Sequence, residues 1–173
     1  MASLEQRLQR LEDIEAIKQL KADYCDACDG GWSEERPGHD WNRLQHIFTE
    51  DGVWDGSPIS GRAEGHEQLR EMYKGLQESV RFASHNLVNP QIKVDGDHAT
   101  AKWSLLAMIG LPFPGRDPVA TWFLLYYDDI YVRTESGWKV KEMKLSYAMA
   151  TSFEKGWVKE RIMDFAAYAE AAA

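Results

Sequence analysis

The sequence predicts an α+β fold in which helices come first and four long antiparallel strands follow. Apolar residues recur every three or four positions near the N-terminus, as in an amphipathic helix. From about residue 82 onward they alternate or run continuously over long segments, as in strands. No linker or internal repeat interrupts the 173 residues, so we expect one domain, residues 1–173, with one curved sheet wrapped around the helices.

The first helix is predicted from a single apolar stripe. The stripe consists of Leu4, Leu8, Leu11, Ile14, Ile17, Leu20, Tyr24 and Ala27. Gly30 and Gly31 follow it, and glycines commonly lie just past the end of a helix. Asp40 is the predicted N-cap of a short second helix, and a third helix is expected over about residues 64 to 78.

Four long strands are predicted in the second half of the chain. FASHNLVNPQIKV and HATAKWSLLAMIG flank the turn Asp95-Gly96-Asp97, which indicates a hairpin. VATWFLLYYDDIYV follows as a strand with apolar residues on both faces, and WKVKEMKLSYAM is the last strand. A short strand around Val53 and Trp54 precedes them, and a helix over about residues 155 to 169 closes the chain. Because a strand that is apolar on both faces needs cover on both, we expect a homo-oligomer.

Charge and hydropathy exclude several classes of partner. The net charge of −8 and the isoelectric point near 5.1 argue against nucleic acid and anionic membranes, whose phosphates attract basic surfaces. The N-terminal MASLEQRLQRLED has no apolar signal-peptide core, and no apolar run reaches membrane-spanning length. We therefore expect a soluble cytoplasmic protein that binds neither nucleic acid nor membrane.

The pair Cys25 and Cys28 forms a C-x-x-C motif at the end of the first helix. The chain has no second C-x-x-C and no H-x-x-x-H to complete a zinc site, and redox pairs usually begin a helix. We expect two reduced thiols and no metal.

Three ionisable residues stand in apolar surroundings and are the candidates for catalysis. His85 begins a predicted strand, whereas Asp29 and Tyr24 lie at the end of the first helix. A carboxylate that orients a histidine makes a minimal general base, and a tyrosine hydroxyl can donate to an oxygen that gains charge. From spacing alone the signal is weak, because a lone strand histidine such as His85 is more often a core residue, and Asp29 could simply be a helix-end or turn residue. The other histidines, His39, His46, His66 and His98, fall in polar segments and are expected at the surface.

A resemblance to a known family favours the catalytic interpretation. LEDIEAIKQLKADYCDACDGGW and DWNRLQHIFTEDGVWDG resemble the opening of SnoaL-like proteins in the nuclear transport factor 2 fold superfamily. The similarity is greatest to the bile-acid 7α-dehydratase branch, and scytalone dehydratase and the hexachlorocyclohexane dehydrochlorinases share the fold. The resemblance implies a cone-shaped α+β barrel with the site at its mouth. The family's catalytic tyrosine, aspartate and histidine match Tyr24, Asp29 and His85.

The sequence departs from the family at one functional position. The arginine that the dehydratase branch carries on its last long strand falls on Tyr147 or Met149, with Lys144 a possible substitute. The substrate is therefore expected to be apolar and held by area and shape. LPFPGRDP, which contains Phe113, is either a lid or a rigid connection. The predicted substrate-binding residues are Trp54, Trp103, Leu105, Phe113, Tyr147 and Met149.

The resemblance implies a cofactor-independent lyase with a His85–Asp29 dyad. Its substrate would be an apolar ring-containing or aromatic alcohol that loses water, or formaldehyde by C–C cleavage as in the diarylpropane lyases. The relatives suggest a homotrimer, with a dimer as the alternative. A non-catalytic protein that binds a hydrophobic ligand and a ketosteroid-type isomerase are the other functions that this fold allows.

Overall fold

The computed structural model describes residues 3–30, 37–113 and 115–170 and confirms the α+β class. The helices are α1 (Leu4–Asp29), α2 (Trp41–Leu44), α3 (Gly65–Ser79), α4 (Gly156–Lys159) and α5 (Phe165–Glu170). The strands are β1 (Phe48–Asp55), β2 (Arg62–Glu64), β3 (Ala83–Asp95), β4 (His98–Phe113), β5 (Arg116–Thr134) and β6 (Gly137–Ser152). In the described part of the chain, no helix combines the length and the apolar composition needed to cross a membrane.

The strands form one six-stranded mixed sheet in the order β2-β1-β6-β5-β4-β3. All neighbours are antiparallel except β1 and β6, which are parallel. The predicted hairpin is confirmed, since Asp95 pairs with His98 across a turn at Gly96, whose φ is 58°. Register shifts in several strand pairs bend the sheet, including one beside Asn89, whose φ is 54°. Within the described residues the edge strands β2 and β3 do not pair, so the curved sheet stays open.

Helix α1 crosses the concave face of the sheet and packs chiefly against β3. A capping box at Ser3 begins the helix, and Gly30 ends it in the left-handed conformation, with φ of 81°. The predicted apolar stripe is buried only in its second half, at Ile17, Tyr24 and Ala27. Residues 4–12 are exposed on all sides, because the sheet covers only the C-terminal half of the helix.

A buried ion pair lies between α1 and β5, the strand whose sequence is apolar on both faces. Lys21 Nζ lies 2.8 Å from Asp129 Oδ2, and both side chains are wholly inaccessible to solvent. The Tyr131 hydroxyl donates to the same carboxylate oxygen at 2.7 Å, and Trp103 Nε1 donates to the Tyr131 hydroxyl at 3.3 Å. The Lys21 ammonium also lies 3.7 Å from the centre of the Tyr127 ring. Burial raises the pKa of Asp129, and the neighbouring Lys21 charge opposes that rise.

The predicted single C-terminal helix is wrong. The segment instead forms α4 and α5, separated by an extended stretch that pairs with the end of β6. Ala150 donates its N–H to the Arg161 carbonyl at 2.9 Å and accepts from the Met163 N–H at 2.7 Å. Met163 is buried and Asp164 caps α5, so pairing with the end of β6 and burial in the core outweigh the local helical preference.

Replacing Lys21 by Met should lower the free energy of unfolding by about 3 kcal/mol or more, because it leaves Asp129 buried without its countercharge. The double variant Lys21→Met with Asp129→Leu should recover most of that loss, since apolar pairs often replace buried ion pairs without penalty. Urea denaturation measures both effects. The matched control is Lys102→Met, which removes the exposed Lys102–Asp128 pair of 2.9 Å and should change stability by at most about 1 kcal/mol.

Equal losses of unfolding free energy in the Lys21 and Lys102 variants would contradict the importance of the buried Lys21–Asp129 pair. So would a double variant as unstable as Lys21→Met alone, because the loss would then not come from the uncompensated Asp129 charge.

Candidate functional site

The end of α1 and the start of β3 bring Asp29 and His85 together. Asp29 is the last residue of the helix, and its carboxylate accepts two hydrogen bonds from His85. The backbone N–H of His85 donates to Oδ2 at 2.7 Å, and the ring Nδ1 lies 2.5 Å from Oδ1. One carboxylate therefore fixes both the backbone and the imidazole of the same residue.

This contact determines which ring nitrogen of His85 is free. Because the Asp29 carboxylate can only accept, Nδ1 carries the proton and donates it, which leaves Nε2 as the lone-pair nitrogen of the neutral ring. Nε2 has no hydrogen-bond partner among the described residues. A histidine in this state can accept a proton at Nε2, and the resulting positive charge would face a carboxylate at Nδ1.

The pair opens into a large cavity between α1, the start of β3 and the segment that precedes α2. The cavity has a volume of about 1030 Å³. The side chains of His85 and Asp29 are 9% and 20% exposed, so a molecule in the cavity can reach both. The wall combines apolar residues, among them Phe82 and Trp103, with the charged residues Lys18, Asp26 and Arg81. Such a mixture suits an apolar molecule with a few polar atoms.

A second histidine, His39, lines the same cavity, and its predicted position at the surface is wrong. His39 is 6% exposed, its ring stacks on Tyr73 at a centroid distance of 6.4 Å, and it meets the His85 ring edge-on at 6.5 Å. Exposure was expected because histidine is polar and its neighbours in the sequence are polar as well. The structure buries it because the backbone N–H groups of His39 and Asp40 bind the carbonyls of Cys28 and Ala27 at the end of α1.

Burial keeps His39 uncharged. Removal from water lowers its pKa from 6.5 to about 4, and the nearby His85 acts in the same direction, whereas Asp29 opposes the change. Its Nδ1 is buried without a hydrogen-bond partner among the described residues. The site therefore combines a histidine held by a carboxylate with a neutral histidine beside it.

Tyr24 lies deeper in the core than the pair. It is 3% exposed, and its hydroxyl accepts from Trp54 Nε1 at 3.3 Å and from the Tyr73 hydroxyl at 3.5 Å. Burial raises the pKa of Tyr24 well above its usual value. No direct bond joins Tyr24 to His85 or Asp29 in the described structure.

The other predicted binding residues are spread over the sheet. Trp103 lines the cavity beside His85, whereas the rest of the set is absent from the lining given by the described residues. Trp54 and Leu105 are buried in the core, and Met149 is half-buried on β6. Tyr147, also on β6, is half-buried and shares a hydrogen bond of 2.5 Å with Ser60.

Lys144 and LPFPGRDP are absent from the cavity lining given by the described residues. Lys144 is exposed and borders a second cavity, of about 580 Å³, on the convex face of the sheet. LPFPGRDP forms the β4–β5 connection, where Phe113 pairs with Arg116, and Pro114 lies outside the described residues. Because both flanks belong to paired strands, this segment is a hairpin connection. It lies at the end of the sheet where β3 begins, since the Gly110 N–H donates to the Phe82 carbonyl at 3.0 Å and Ala83 pairs with Ile109.

The cysteines Cys25 and Cys28 are buried and are not joined by a disulfide. Burial raises the pKa of the Cys25 thiol to about 12 and that of Cys28 well above its usual value. Among residues 3–30, 37–113 and 115–170, no three His, Cys, Asp or Glu side chains are grouped closely enough to hold a metal ion.

Curated proteins similar to this chain come from mycobacteria. An uncharacterised protein of Mycobacterium tuberculosis and one of Mycobacterium bovis are each 28% identical to it over 97 residues. The matched region is 56% of this chain and 65% of each relative, so the chain spans less than two thirds of their length.

Solved structures with the same fold cover most of the chain. A Novosphingobium aromaticivorans protein proposed to be an aromatic ring hydroxylase has a TM-score of 0.71 and 26% identity, over 82% of this chain and 94% of its own. A proposed scytalone dehydratase of the same organism has a TM-score of 0.70 and 23% identity, over 83% and 89%. A hexachlorocyclohexane dehydrochlorinase has a TM-score of 0.72 and 19% identity, over 85% of this chain and 93% of its own. The last two structures show likeness of fold alone.

The sequence family is shown by a match to most of the chain. The family model described as SnoaL-like domain matches residues 9–144, a region that contains Tyr24, Asp29, His39 and His85. The resemblance found in the first helix therefore extends through the sheet, and the chain belongs to the SnoaL-like domain family.

Proposed function

We propose that this protein is a cofactor-independent lyase in which His85 is the general base and Asp29 orients it. The observation that supports this most is the pair of hydrogen bonds from His85 to the Asp29 carboxylate at the wall of a 1030 Å³ cavity. The names of two fold relatives, a dehydratase and a dehydrochlorinase, describe eliminations, and this agrees with the proposal.

The proposed reaction is the dehydration of a ring alcohol. Nε2 of His85 takes a proton from the carbon next to the one that bears the hydroxyl. The electrons of the broken C–H bond form the C=C bond, and the C–O bond breaks. The leaving hydroxyl receives the proton from the imidazolium, so water departs and His85 returns to its neutral form. Asp29 stabilises the imidazolium in between, because its carboxylate faces Nδ1.

Tyr24 is proposed to stabilise the oxygen that leaves or gains charge. Its hydroxyl accepts from Trp54 and Tyr73, so this role requires its own proton to point toward the cavity. The aromatic wall at Trp103 supports a ring-containing substrate.

We further propose that copies of the chain associate through the convex face of the sheet. On that face, exposed apolar side chains from three neighbouring strands form one patch, which consists of Val88, Leu106 and Tyr126. Ile130 is also exposed on this face but lies beyond Asp128, which pairs with Lys102 within the chain. The relatives suggest that the oligomer is a trimer. We also propose a cytoplasmic location.

The His85→Ala variant should turn over at least about a hundredfold more slowly than the wild type, because it lacks the positioned base. Asp29→Asn should lose a similar amount, since an amide cannot stabilise the imidazolium, and the two losses should not add. Tyr24→Phe should lose roughly tenfold to a hundredfold, as for one hydrogen bond to developing charge. The substrate for the assay is a β-hydroxy ketone fused to an aromatic ring, a hydroxytetralone, whose dehydration gives an absorbing naphthol.

Asp23→Asn is the control for this series. Asp23 is exposed on α1 and bonded to Gln19, so its replacement should leave turnover unchanged. Near-normal turnover in His85→Ala would contradict the proposed site and would favour the binding-protein or isomerase function.

Light scattering at micromolar concentration should give the mass of an oligomer. Tyr126→Glu should dissociate it, because a charge in the middle of the apolar patch opposes burial. Val158→Glu is the control, since Val158 is 91% exposed on α4, outside the patch. A monomeric wild type would contradict the proposed interface, whereas a dimer would contradict only the trimer.

A further inference from the structure

The residues directly before α2, 37–40, hold His39 in a fixed position. The His39 backbone is left-handed, with φ of 54°, and its N–H donates to the Cys28 carbonyl at 3.1 Å. The next N–H, of Asp40, donates to the Ala27 carbonyl at 3.2 Å. A Cβ atom on Gly38 would come within 2.7 Å of the Cys28 carbonyl oxygen, so the segment lies directly on the end of the helix. The two backbone bonds therefore set the position of the His39 ring.

The ring lies between the His85–Asp29 pair and the tyrosines of the core. It stacks on Tyr73, with an interplanar angle of 25°, and meets His85 edge-on, at 78°. Tyr73 in turn donates to the Tyr24 hydroxyl. Of the two groups that could serve the substrate oxygen, the His39 ring lines the cavity, whereas the Tyr24 hydroxyl is enclosed by Trp54 and Tyr73.

The hydrogen-bonding capacity of His39 is not used within the described structure. Nδ1 is buried without a partner there, and buried polar groups in proteins are rarely left unbonded. Because the ring stays neutral, it has one N–H donor and one lone pair. A neutral imidazole can donate to an oxygen that gains charge without losing its own proton at ordinary pH.

The geometry points to His39 as a substrate-contacting residue whose imidazole hydrogen-bonds the oxygen that the substrate loses or polarises. The ligand class is a ring compound with a hydroxyl or ketone oxygen. This inference rests on the proposed function, because His85 must remove the proton while His39 binds the oxygen. His39 donates a hydrogen bond and exchanges no proton in the net reaction.

The first test uses binding and needs no turnover. A naphthol, the product of the hydroxytetralone assay, is titrated into protein labelled with ¹⁵N at the histidine rings. The ring nitrogens of both His39 and His85 should shift on binding, and those of His66 should not. His66 is the control because its ring contacts Trp41, outside the cavity lining. A shift at His85 without one at His39 would overturn the inference and leave the proposed function standing. No shift at either residue would overturn both.

The second test separates hydrogen bonding from packing. His39→Phe keeps a ring against Tyr73 but has no nitrogen, so kcat should fall by roughly tenfold to a hundredfold with little change in KM. His39→Asn keeps an amide donor and tolerates the left-handed backbone, so it should recover part of that loss. The control His66→Phe should match the wild type.

The outcomes of these variants distinguish the inference from the proposed function. Normal turnover in His39→Phe together with an inactive His85→Ala would overturn the role of His39 alone. Equal losses in His39→Phe and His39→Asn, each with a lower unfolding temperature, would show that His39 only packs and would also overturn it. Near-normal turnover in His85→Ala would instead overturn the proposed function.

Discussion

The Asp29 carboxylate binds His85 at two atoms, and this double contact joins the end of α1 to the start of β3. The two residues are 56 positions apart, so the contact forms only when the helix lies across the concave face of the sheet. The left-handed Gly30 ends the helix immediately after Asp29, which keeps the carboxylate in its last turn. Small shifts of α1 would change both the base and the cavity that it faces.

The core behind the pair adds no net charge to the site. His39 is held neutral by burial, and the tyrosines and thiols of the core have raised pKa values, so they too remain uncharged. The buried charges of Lys21 and Asp129 neutralise one another deeper in the core. The imidazolium that forms during proton transfer would therefore depend on Asp29 as its nearest countercharge.

Much of the fold could be predicted from the sequence, because periodicity reports which face of an element is covered. The same periodicity could have identified Asp129, which lies in phase with the buried Leu125 and Tyr127 of its strand. It could not identify His39, whose burial depends on backbone hydrogen bonds from His39 and Asp40 to the end of the preceding helix, α1. Residue types and resemblance suggested His85 with Asp29, but their distance depends on the helix–sheet packing, which spacing along the chain does not contain.

The tautomer of His85 reports its contact with Asp29 without any substrate. It is measured by ¹⁵N NMR of the ring nitrogens at a pH where histidines are neutral. The account predicts a proton on Nδ1 and none on Nε2 in the wild type, and a weaker preference in Asp29→Asn. A proton on Nε2, or two nitrogens that share the proton equally in the wild type, would contradict it.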